Sequence, residues 1–74
     1  MPLTTAEIGR AVRMRRRQLD VTQADLALTA GTGLRFIIDL EKGKPTCQVG
    51  KVLVVLHTLG IELQLSSPVA EEEG

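Results

Sequence analysis

An all-α bundle of four to five helices, followed by a short C-terminal β-strand, is the fold that this sequence predicts. Three observations predict it. Apolar residues recur at helical spacing over most of the chain. Glycine, proline or aspartate interrupts each of those runs after about two to four turns. The period then switches to two at Ile61, where apolar and polar residues alternate.

The first helix is expected over residues 6–19. Thr5 is its expected N-cap, and Glu7 sits in its first turn near the positive helix end. Ile8, Ala11 and Val12 share one face, which Leu19 extends. Arg10, Arg13, Arg15, Arg16 and Arg17 form a band on the other face. Asp20 and Val21 break the run. Thr22 opens the second helix, because its hydroxyl can accept from the N–H of Ala24 or Asp25. Asp25 then completes something close to a capping box. Leu26, Ala27 and Ala30 are its apolar side, and Gly31 and Gly33 end it.

A third helix is expected over 34–41, with Ile37 and Leu40 turned to the core. Lys42-Gly43-Lys44-Pro45 stops it. A fourth is expected from Thr46 or Cys47 to Leu59, with Val49, Val52, Leu53, Leu56 and Leu59 as a buried stripe and Gly60 as its end. Ile61, Leu63 and Leu65 alternate with Glu62, Gln64 and Ser66, giving a half-buried strand that Pro68 closes. The expected organisation is one domain over 5–60, a dimerisation strand over 61–66 and an acidic, disordered tail over 67–74.

Composition narrows the function. The chain has 74 residues and no net charge, yet the charge is segregated. Residues 1–60 carry nine Lys and Arg against five acids, and residues 61–74 carry four Glu and no base. A basic body attached to an acidic tail points to a polyanionic partner. Cys47 and His57 stand alone, so neither a disulfide, a metal site nor a cysteine nucleophile is expected. There is no phosphate-binding glycine loop and no pair of catalytic carboxylates. The reading is a non-enzyme without cofactors. The N-terminal residues have no leader pattern, and no apolar run approaches membrane-spanning length. A cytoplasmic protein is expected.

The functional unit is the stretch from Thr22 to Lys44. Two short helices joined by a tight glycine turn form a helix-turn-helix, in which the second helix offers its N-terminal residues to the DNA major groove. Gln23, at the start of the first of these helices, is placed to hold a phosphate. Thr32, Gly33, Leu34 and Arg35 lie at the entry of the second, where bases are read. Arg35 can donate a bidentate pair to guanine. One turn on, Ile38 can touch a thymine methyl and Asp39 can accept from a cytosine amine, or else pair with Arg35. Lys42 and Lys44 can reach phosphates, as can Arg13 or Arg17.

Residues Ile8 to Gly60 resemble the Xre, or lambda-repressor-like, helix-turn-helix family. The match rests on Thr22-Gln23, Leu26-Ala27, Gly31, Ile37 and Leu40-Glu41-Lys42-Gly43. The run Gly33-Leu34-Arg35-Phe36-Ile37, with Asp39-Leu40-Glu41, Gly43-Lys44-Pro45-Thr46 and the strand that follows, is closest to the HipB-type antitoxin regulators. That resemblance implies a homodimer that binds a palindromic operator, represses its own operon and pairs with a HipA-like serine/threonine kinase toxin. It also implies a structural ion pair between Arg16 and Glu41. The chain departs from the family pattern at Gly33, Leu34 and Ile38, where many members carry Ser, Gln or Thr. Asp20 stands where glycine often ends the first helix. Two alternatives share the fold: a regulator without a toxin, and an interaction adaptor that no longer binds DNA. The strand has no partner elsewhere in the sequence. Ile61, Leu63 and Leu65 are therefore expected to pair with the same strand of a second copy.

Overall fold

The computed structural model describes residues 3–65. It consists of α1 (Thr5–Gln18), α2 (Gln23–Ala30), α3 (Leu34–Glu41) and α4 (Val49–Thr58), with no strand among the described residues. The acidic tail expected over 67–74 lies outside them.

Capping sets the start of α1 one residue earlier than expected. Thr4, not Thr5, is the N-cap. The Glu7 N–H donates to Thr4 Oγ1 at 3.1 Å, and the Thr4 N–H donates to Glu7 Oε1 at 3.1 Å. Only Thr4 has a glutamate three residues on, so only Thr4 can close this reciprocal box. The Thr5 hydroxyl is free to donate to the Gly43 carbonyl at 2.8 Å, tying α1 to the exit of α3.

The packed face of α1 also differs. Val12 is fully buried and Ile8 packs partly, but Ala11 and Leu19 are exposed. Gly9 is the reason. A Cβ on Gly9 would lie 2.8 Å from the Glu41 carbonyl oxygen, so a side chain there would hold α1 off the end of α3. The face therefore runs through Gly9, Val12 and Arg16. Leu19 is the C-cap, one residue before the left-handed turn at Asp20, and lies off that face.

All four helices stop in the same way. A residue in the left-handed region follows each: Asp20 (φ 61°), Gly31 (φ 75°), Gly43 (φ 84°) and Gly60 (φ 74°). The next N–H then reaches back five residues, from Val21 to Arg16, Thr32 to Ala27, Lys44 to Asp39 and Ile61 to Leu56, at 2.9–3.1 Å. These bonds satisfy carbonyls that the helix leaves open.

The core is aliphatic: Val12, Leu26, Ala27, Ile37, Leu40, Val55, Leu56 and Leu59. α3 packs on both α1 and α2, and α2 also meets α4. Helix α4 starts at Val49 and buries part of the stripe its spacing suggests: Leu56 and Leu59 lie in the core and Val52 packs against it. Val55 is fully buried, whereas Val49 and Leu53 are 69% and 46% exposed. Nearly every side of α4 is apolar, so period alone does not choose the face. No helix among the described residues is long and apolar enough to cross a membrane.

Candidate nucleic-acid interface

Helices α2 and α3 are joined by Gly31-Thr32-Gly33. Gly31 takes the left-handed turn, and Gly33 is the extended N-cap of α3, with no side-chain capping bond. The Thr32 hydroxyl donates to the Gly33 carbonyl at 3.3 Å. The first amides of α3 are thus left without a capping side chain at the end that a groove-binding helix presents. On α2, Thr22 caps the Asp25 N–H at 3.0 Å.

The outer face of α3 carries Leu34, Arg35, Ile38 and Lys42. Leu34 is 46% exposed and the Arg35 side chain 75%. Ile38 is half-buried and Lys42 exposed. Ile38 and Lys42 line one open concavity with Gln23, Glu41, Arg13, Arg16 and Arg17. The structure thus brings Gln23 from α2 next to the α3 face.

Beneath that concavity lies a connected polar network. Arg16 donates to Glu41 through Nε (2.6 Å) and Nη2 (3.0 Å), and through Nη1 to the Val21 carbonyl (2.8 Å). Both side chains are largely buried. The bond to Glu41 raises the Arg16 pKa from its ordinary value, against the opposing effect of burial. The ion pair expected from the family resemblance is therefore present. Sequence reasoning did not foresee its third member: Gln23 Nε2 donates to Glu41 Oε1 at 3.0 Å.

Two expected site residues are otherwise engaged. The Asp39 carboxylate is 20% exposed and faces Arg35 at 3.6 Å and Lys44 at 3.5 Å. This is the ion-paired alternative rather than a free acceptor. Lys44 lines a different groove, with Thr5, Ile8, Pro45 and Cys47. Phe36 packs against the core and stacks under the Lys51 ammonium, 5.8 Å from the ring centre.

Of the expected dimerisation residues, Ile61 packs on its own core. Leu63 (41% exposed) and Leu65 (89%) do not. Leu63 borders an apolar groove of about 210 Å³ with Val49, Val52, Leu53 and Leu56.

A three-residue glycine turn between two short helices, the second with an open outer face beside a basic concavity, defines a helix-turn-helix module. No family model matches the chain. It is 54% identical over 65 residues to the uncharacterised HTH-type transcriptional regulator y4mF of Sinorhizobium fredii (strain NBRC 101917 / NGR234), covering 88% of this chain and 86% of that protein. The chain belongs to the HTH-type transcriptional regulators. Its fold is that of HipB. A HipB–O4 20mer complex superimposes with a TM-score of 0.79 at 19% identity, covering 93% of this chain and 97% of that one. A HipA–HipB–O2–O3 complex gives 0.80 at 19% identity, with the same coverage.

Proposed function

We propose that the chain is a dimeric DNA-binding autorepressor that presents α3 to the major groove of a palindromic operator, and that it is the antitoxin of a HipA-like kinase. The observation that carries the DNA reading is the exposed α3 face beside Gln23, over a braced basic concavity. Gln23 and Lys42 hold phosphates. Thr32 and Gly33 bring the α3 backbone close to the duplex, and Leu34, Arg35 and Ile38 meet base edges. Apolar Leu34 and Ile38 suit thymine methyl groups, and Arg35 suits guanine. Asp39 orients Arg35 rather than reading a base, and Lys44 holds Asp39 from the other side. The kinase partner is supported by the likeness to HipB, which has been seen in complex with HipA.

Dimerisation is supported by the apolar surface that Val49, Leu53 and Leu63 share. Residues 61–65 run beside it outside any helix, and the proposed strand pairs them with the same segment of a second copy. The domain organisation that follows is a DNA-binding body and a dimerisation strand.

Gel shift against the region upstream of the chain's own gene tests this. We expect salt-sensitive binding to an inverted repeat there. Arg35→Ala should cost about 1–3 kcal/mol on the cognate site and relax preference at one position, whereas Gln23→Ala should weaken binding to all sequences alike. Absence of binding to any repeat in that region overturns the reading. Co-purification with the product of an adjacent kinase-like reading frame tests the antitoxin role, and a neighbourhood without such a frame leaves a plain regulator.

A further inference from the structure

Helix α1 carries a basic surface that reaches beyond the helix-turn-helix concavity. Arg10, Arg13 and Arg17 are exposed and lie three and four residues apart, on one face. With Met14 and Gln18 they line an open concavity of about 530 Å³. Arg13 and Arg17 also line the concavity that holds Gln23, Ile38 and Lys42. The two surfaces are therefore continuous. None of the three arginines makes an ion pair among the described residues; the pairs present use Arg16, Arg35 and Lys44. Arg15 and Arg16, by contrast, are spent on the scaffold, bonding to the Leu59 carbonyl and to Glu41.

We propose that Arg10, Arg13 and Arg17 form a clamp for the DNA phosphate backbone beyond the contacts of α2 and α3. This rests on the DNA-binding reading above. The chemistry suits a phosphate row. Guanidinium forks bind phosphate oxygens in bidentate fashion. Arg10 to Arg17 spans about 10 Å of helix axis at 1.5 Å per residue, long enough for the three guanidinium groups to meet more than one phosphate of a strand. No carboxylate lines either the Arg10–Arg17 concavity or its approach through Met14 and Gln18. Continuity with the Gln23 and Lys42 surface selects a DNA backbone as the occupant over a separate acidic peptide. The contacts carry no sequence information, so they act on any duplex.

The test measures affinity against salt concentration for two 20-base-pair duplexes, one with the upstream repeat and one scrambled. Single Arg→Gln variants at positions 10, 13 and 17 are compared with the triple Gln and triple Lys variants, with thermal unfolding as the folding control. Each Gln substitution should lower the slope of log affinity against log salt by about 0.9. Both duplexes should lose affinity by the same factor, and the triple Lys variant should keep the slope. An unchanged slope in the triple Gln variant, with the unaltered protein still binding, overturns the clamp alone. A loss confined to the repeat duplex overturns its backbone character. Failure of the unaltered protein to bind either duplex removes the DNA reading and the clamp with it.

Discussion

Glu41 connects stability and recognition at a single carboxylate. It receives two bonds from Arg16 and one from Gln23, so the residue proposed to grip phosphate is held by the same group that locks α1 to α3. Glu41→Ala leaves the Arg16 guanidinium nearly enclosed and uncompensated, and should cost about 3 kcal/mol in urea unfolding. The double variant Arg16→Ala/Glu41→Ala should cost less than the two single losses together, because no charge is then stranded. Asp20 offers a change in the opposite direction. Its φ of 61° places a side chain where glycine is at ease. Asp20→Gly should raise stability by up to about 1 kcal/mol, the relief of strain exceeding the extra flexibility of the unfolded chain. A fall in the urea midpoint would contradict it. The family resemblance already marked this position as one where glycine often ends the first helix. The sequence did not mark Gln23 as a partner of Glu41, because two residues eighteen apart meet only once the helices pack.

The helices differ in how far local signals define them. α3 has the bounds that its glycine entry and Lys-Gly-Lys-Pro exit predict. α2 likewise has the predicted threonine cap and glycine stop. α1 begins one residue early because two adjacent threonines offer the same hydroxyl; the glutamate three residues beyond Thr4 distinguishes them and was readable. α4 is the opposite case. Apolar residues surround it, so the choice of Val55 for the core, with Val49 and Leu53 outside, follows from what α2 and α1 leave uncovered. That outward face is where a second copy is proposed to dock. Leu53→Glu, on the exposed side, should shift the protein to monomer in size-exclusion chromatography while leaving its helical circular dichroism signal intact. A dimer that persists would place the interface elsewhere. The outward side of α4 was therefore less legible in the sequence than the start of α3. Exposure at the start of α3 follows from the turn, but exposure on α4 depends on the whole bundle.

For the molecule as a whole, the margin is thin. A domain this small buries a modest share of its surface, and its core among the described residues has eight side chains, none aromatic. Ile37→Ala should cost about 2–5 kcal/mol, enough to unfold much of the population at moderate temperature. Calorimetry would check it. The connections between helices run from three to seven residues, and each helix carries its own left-handed stop. Most of what the chain must find is therefore close by in sequence. Bundles dominated by such near-neighbour contacts fold in microseconds to milliseconds. Stopped-flow refolding should accordingly show a fast phase whose rate does not change with protein concentration. Any later phase that quickens with concentration would report the meeting of two folded copies. For the dimer proposed above, the short connections set an order of events: each newly made chain completes itself first and finds its double second. Occupancy of a two-copy site would then climb more steeply than the amount of protein, so that a regulator of this kind responds to a threshold in its own abundance.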